Sequence, residues 1–100
     1  MSILHKWYFR MTDGVSNRAL LLLEATSLKE LAEVNSKEYV RWQNIKRGKA
    51  RIGAEEIEAL ANLYKSYRWW LITGDVMPDK GQTSPEYDKA NRNLQTQSAG

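Results

Sequence analysis

The sequence predicts an all-α protein, a compact bundle of five short helices with an N-terminal arm before it and a polar, partly disordered tail after it. Three observations carry that prediction. The chain has 100 residues, 42% of them apolar, which is enough for one hydrophobic core and too little for two. Two helix-capping arrangements, Ser27-Leu-Lys-Glu30 and Asn35-Ser-Lys-Glu38, follow each other closely, so any helix between them is short. The apolar residues of the central part recur at spacings of three and four, the period of a helix with one buried face. The chain therefore divides into an arm over residues 1–13, a folded domain over residues 14–75 and a tail over residues 76–100.

In the arm, Ile3, Leu4, Trp7, Tyr8 and Phe9 follow neither a two-residue nor a helical period, which fits a short strand or a packing arm. The first helix is expected from about Ser16, whose hydroxyl can cap free N–H groups, to Glu24; its four successive leucines imply burial on more than one side. A second helix is expected from the Ser27 capping box to Val34, with Leu28, Leu31 and Ala32 as its buried stripe. Asn35 tolerates the left-handed conformation of a sharp turn. The third helix, residues 36–47, points Tyr39, Trp42 and Ile45 inward and ends at Gly48, which can take the positive φ of a helix terminus.

A fourth helix is expected from about Gly53. Glu55 and Glu56 lie in its first turn, where the helix dipole favours negative charge, and Ile57, Leu60, Ala61 and Tyr64 form its inner stripe. The fifth, residues 66–73, stops at Gly74. Its Trp69 and Trp70 are about 100° apart on the helix, so only one can enter the core fully. The tail has just two branched aliphatic residues, Val76 and Leu94, and cannot fold alone. One helix signal survives there, Ser84-Pro-Glu-Tyr87, with serine as cap and proline at the first helical position. A short helix over 84–94 would place Tyr87, Ala90 and Leu94 on one face, ordered only against the body or a partner.

Composition excludes most chemistry. With no cysteine and a single histidine, His5, there is no thiol nucleophile, no zinc-ligand cluster and no interior histidine for a catalytic triad. No enzyme activity, cofactor or metal is expected. Glu55, Glu56 and Glu58 read as a solvated face. The longest apolar run, Ala19 to Leu23, is far short of the roughly 20 residues that span a bilayer. The opening residues carry charges inside their apolar stretch and do not resemble a secretory signal, so a cytoplasmic, nucleoid-associated location is expected.

Charge is unevenly placed. Residues 36–51 hold six cations, Lys37, Arg41, Lys46, Arg47, Lys49 and Arg51, against Glu38 alone, a local excess of +5 in a chain of net charge +3. A localised basic patch suits a polyanion, because each phosphate neutralised releases condensed counterions. Two capped helices joined by a minimal turn, the second basic, describe a helix-turn-helix. The major groove admits one α-helix, which must be braced behind and free in front. Tyr39, Trp42 and Ile45 supply the brace; Lys37, Val40, Arg41, Gln43, Asn44 and Arg47 lie on or near the free side. Asn and Gln can bond adenine bidentately, Arg can bond guanine, and Val40 can meet a thymine methyl.

On these residues the sequence resembles the Cro/repressor (XRE-like) helix-turn-helix family. The resemblance rests on Leu31-Ala32, Trp42-Gln-Asn-Ile45-Lys-Arg-Gly48, Glu56-Ile-Glu-Ala-Leu-Ala61 and Trp70-Leu-Ile-Thr-Gly74. Residues 40–74 and the run Gly81-Gln-Thr-Ser-Pro-Glu-Tyr87 are similar to a group of small DNA-binding proteins from pseudomonads and their prophages. Residues 1–10 are unmatched. Asn35, Ser36 and Lys37 depart from the glycine and apolar residues that the family often has in its turn. The resemblance implies a transcriptional regulator, with bases read from the free face of the third helix and phosphate gripped by Lys49 and Arg51.

A regulator of this kind is expected to be a repressor bound to double-stranded DNA as a homodimer, since one helix reads only a few base pairs. Trp69, Trp70, Tyr87 and Leu94 are the candidate dimer contacts. The alternative is a protein-interaction module on the same scaffold, an antitoxin or a phage factor that occupies a host protein. Its basis is the apolar arm, the surface tryptophan and the tail.

Overall fold

The computed structural model describes residues 14–99, and their side chains as far as residue 92. The expected arm, residues 1–13, and the Leu94 side chain lie outside the described residues. The fold is all-α, with five α-helices and no strand among the described residues: α1 (Val15–Glu24), α2 (Lys37–Lys46), α3 (Ala54–Leu63), α4 (Arg68–Thr73) and α5 (Pro85–Ala99).

Helix α1 is the centre of the bundle, packed against α2, α3 and α4. It contributes Ala19, Leu22 and Leu23 to the core; α2 adds Trp42 and Ile45, α3 adds Leu60 and α4 adds Leu71. All seven are buried; Ala19, Leu22 and Leu23 on α1 and Trp42 and Ile45 on α2 follow the three- and four-residue spacing of a single helix face. The burial of α1 is less even than four consecutive leucines suggest, because Leu21 is 48% exposed. Gly14, not Ser16, stands at the N-cap of α1, without a side-chain hydrogen bond.

The second expected helix is nearly absent. Residues 28–30 form a single 3-10 turn, and the Ser27 side chain makes no cap bond. Only Leu31 N–H and Ala32 N–H continue the pattern, both donating to the Leu28 carbonyl, before the chain turns again at Ser36, whose N–H donates to Glu33. One turn suffices to set Leu28, Leu31 and Ala32 against the core. A longer helix in so short a stretch would carry the nucleation cost with little further apolar surface to cover, and Val34 is indeed left half-exposed.

Around α2 the turn at Asn35 and the stop at Gly48 match the sequence, but the cap falls one residue later than the expected Asn35 arrangement. Asn35 has φ of 70° and Gly48 of 81°. Ser36 is the N-cap, its Oγ accepting from Tyr39 N–H at 3.1 Å, while its hydroxyl donates to the Glu33 carbonyl at 2.6 Å. Gly74 ends α4 in the left-handed conformation. Of the paired tryptophans, Trp69 is 41% exposed and Trp70 packs partly buried against the core.

The tail is tied to the body by polar contacts. Trp69 N–H donates to Gln82 Oε1 at 2.9 Å, Gln82 Nε2 donates to the Lys65 carbonyl at 3.1 Å and Thr83 N–H donates to Ser66 at 2.8 Å. Ser84 caps α5 by accepting from Tyr87 N–H, and the Tyr67 hydroxyl donates to Asp88 Oδ2 at 2.7 Å. The helix then runs to Ala99, five residues past the expected end. Among the described residues no helix is long and apolar enough to cross a membrane.

Candidate nucleic-acid interface

Helix α2 is anchored on one side by buried Trp42 and Ile45 and by half-buried Tyr39. At about 100° per residue, Lys37, Val40, Asn44 and Arg47 form a stripe on the opposite side, with Gln43 and Arg41 flanking it. Lys37, Val40, Arg41 and Arg47 are exposed; Gln43 and Asn44 are half-buried. The Gln43 and Asn44 side chains form no hydrogen bond with the described residues, which leaves their paired donor and acceptor atoms available outward. Val40 is 48% exposed, an apolar residue amid polar ones.

The basic loop is folded back on this helix by its backbone. The Asn44 carbonyl accepts from Lys49 N–H at 2.8 Å and from Ala50 N–H at 3.3 Å, so Arg47, Lys49 and Arg51 follow the helix end closely and all three are exposed. Lys46 points the other way, its Nζ donating to the Thr26 carbonyl at 3.3 Å. This ties the end of α2 to the segment that follows α1.

Arg41 is bound within the protein. Its Nε donates to Glu56 Oε2 at 2.9 Å and its Nη2 donates to Glu56 Oε1 at 3.0 Å, a bidentate pair, with Nη2 also reaching the Arg51 carbonyl at 3.2 Å. Glu56 Oε1 further accepts from Gly53 N–H at 2.8 Å, closing the first turn of α3. Glu56 is buried rather than solvated, unlike its exposed neighbours Glu55 and Glu58. Its hydrogen bond with Arg41 holds the carboxyl below its ordinary range against the opposing effect of burial, and the Gly53 N–H assists. The same bond raises Arg41. No sequence signal marks this pair, since the partners are 15 residues apart on different helices.

The charge distribution follows from that pair. Lys37 and Arg41 share a shallow pocket with Glu38, Glu55 and Glu56, so on this flank two cations face three carboxylates and no positive excess remains. Arg47, Lys49 and Arg51 have no ion-pair partner among the described residues, whereas Arg41 is paired with Glu56. Positive potential is concentrated at the C-terminal end of α2 and the loop after it. Of the candidate dimer residues, Trp69 and Tyr87 are exposed at 41% and 37%, while Trp70 is partly buried against the core. Among the described residues no group of acidic or histidine side chains could hold a metal ion.

No protein-family model and no curated protein matches the chain. Among solved structures it is similar to Pf6r from the filamentous phage Pf6 of Pseudomonas aeruginosa PA01, with 38% identity and a TM-score of 0.68. The likeness covers 81% of this chain and 96% of that one. With that identity over nearly the whole of the phage protein, the chain belongs to the same family as Pf6r.

Proposed function

We propose that this chain is a sequence-specific DNA-binding regulator of phage origin, a repressor that acts as a cytoplasmic homodimer and inserts α2 into the major groove. The observation that carries this reading is the outer stripe of α2: two amide side chains with no partner among the described residues and an exposed valine lead directly into three exposed cations. Amides read adenine edges, a valine meets a thymine methyl, and the cations take phosphate. Lys37, Val40, Gln43, Asn44 and Arg47 face the groove in this arrangement; Lys49 and Arg51 grip the backbone. The relationship to a filamentous-phage protein supports a regulatory role. Two copies joined through the surface around Trp69 and Tyr87 would present two such helices to a pseudo-palindrome with half-sites about one helical turn apart.

Selection of bound duplexes from a random pool tests this directly. Recovery of a symmetric site bound far more tightly than random DNA at physiological salt is the expected result. Equal affinity for all duplexes excludes a sequence-specific regulator.

One observation favours a second reading, a protein-interaction module. Val15, Ala54, Ile57, Ala61 and Ile72, with Glu58 beside them, line an open, largely apolar groove of about 480 Å³, and Ile72 is 56% exposed. DNA binding has no use for that surface. A pull-down that recovers only DNA and the protein itself counts against this module.

A further inference from the structure

The geometry points to Arg41 as a positioning residue that, with Glu56, fixes the basic loop against the recognition helix, and not as a reader of bases. This deepens the DNA-binding reading and rests on it.

Three features of the site carry the assignment. First, Arg41's Nε and Nη2 are committed to the two Glu56 oxygens in a fork, and Nη2 also binds the Arg51 carbonyl. To bond guanine bidentately the guanidinium would have to leave this arrangement. It would then strand the Glu56 carboxylate, whose side chain is 10% exposed, without its cation. Second, the space around the pair is built for it. A Cβ at residue 53 would come within 2.9 Å of Glu56 Oε1, so any other residue would push the Glu56 carboxylate from its place, while the 3.6 Å approach to Arg41 Nη2 is an ordinary contact. Gly53 has φ of −108°, which any residue adopts; close approach, not backbone conformation, favours glycine there.

Third, the pair controls the segment that carries the phosphate contacts. Helix α2 holds the loop at two points: the Asn44 carbonyl takes Lys49 and Ala50 N–H groups, and the Arg41 side chain takes the Arg51 carbonyl. Glu56 fixes the loop's far end through Gly53 N–H. A cation gripping phosphate sets the register of the helix on the duplex only if its distance from that helix is fixed. Arg41 and Glu56 supply that rigidity without touching DNA.

The variants Glu56→Gln, Arg41→Ala and their combination test this, in the full chain, on the duplex selected with the wild-type protein and on random DNA. Circular dichroism first establishes that each variant is folded at the assay temperature. The positioning role predicts that Glu56→Gln lowers the ratio of specific to random affinity on the order of tenfold, the scale of one lost specific contact, although it removes a negative charge near DNA. Arg41→Ala and the double variant give the same loss, because the two residues act as one unit. Base preference should loosen across the half-site with no single position losing its preference alone.

Hydrogen exchange supplies a readout independent of DNA. The Lys49 and Ala50 amides should exchange faster in both single variants. The assignment is overturned if Glu56→Gln keeps or raises the specificity ratio, as expected of a base-reading arginine set free, or if the two amides keep their protection. Loss of preference at one base pair in Arg41→Ala alone also overturns it. If the wild-type protein itself prefers no duplex, the DNA-binding reading fails first and this role falls with it, an outcome separable from all of those.

Discussion

The Arg18 guanidinium on α1 donates from Nε to the main-chain oxygen of Leu71 at 3.0 Å, across 53 residues of sequence. Its Nη2 reaches the adjacent Ile72 carbonyl at 3.2 Å. These carbonyls belong to the last turn of α4, where intrahelical partners run out and a positive charge is favoured by the dipole. A short helix that would be marginal alone is thus closed by a side chain from the centre of the bundle. Arg18 is 8% exposed, so water cannot replace it fully. Arg18→Met is expected to cost about 2–3 kcal/mol, as a charge-assisted hydrogen bond to the buried Leu71 carbonyl and a second to the partly buried Ile72 carbonyl are lost. Arg18→Lys should cost less, since it keeps the charge but not the fork. Denaturant unfolding of both variants measures the difference; equal stability to wild type would remove Arg18 from the framework.

Asn35 has φ of 70° in the turn that leads into α2. A side chain there is strained whatever its surroundings, and asparagine bears the strain better than most. Asn35→Ala should therefore destabilise by about 1 kcal/mol, whereas Asn35→Gly should be neutral or slightly stabilising. Thermal midpoints in the reverse order would show that the turn is not held in this conformation in solution.

Acid dependence follows from Glu56. Its carboxyl titrates below the ordinary range when folded, through the Arg41 hydrogen bond first. A depressed carboxylate contributes stability that is complete above its unfolded pKa and is lost as pH falls through the folded one. The wild-type protein should lose stability as pH drops through and below the ordinary carboxylate range. Glu56→Gln, with no proton to take up, should show a shallower slope over that window. Parallel slopes for the two proteins, followed by urea unfolding at a series of pH values, would mean that the ion pair does not persist in water.

The tail is attached through Tyr67. Its ring stacks on Tyr64 at 5.8 Å and meets Trp70 edge-on at 6.4 Å, and its hydroxyl donates to Asp88 in the first turn of α5. Tyr67→Phe keeps the ring packing and removes the hydrogen bond. It is expected to cost about 1 kcal/mol and to speed amide exchange in α5 ahead of the other helices. Uniform exchange across all helices would argue against a separately anchored tail.

On DNA, Asn44 and Lys49 should separate reading from gripping. Asn44→Ala is expected to lose about 1–3 kcal/mol on the selected duplex and to relax preference at one base pair. Lys49→Ala should weaken binding to every sequence alike and reduce the salt slope by about 0.9, the share of one phosphate. Titrations at several salt concentrations on specific and random duplexes distinguish the two.

How much of this was legible beforehand depends on how far apart the interacting groups lie. Turn and cap positions such as Asn35, Gly48, Gly74 and Ser84 follow from the sequence by itself, because each obeys constraints among residues at most four positions apart. The inward placement of Trp42, Ile45 and Leu60 follows too, since helical period alone selects the buried face. Tertiary structure decided the rest. Residues 28–34 have a helix signature yet close after one 3-10 turn, because packing on the core needs no more. Glu56 carries the mark of a solvated first-turn acid and is instead buried against Arg41, and Arg18 finds its acceptors at the far end of the domain. Such pairings depend on where separate helices cross, and helix crossings are set by the joint packing of all the side chains between them.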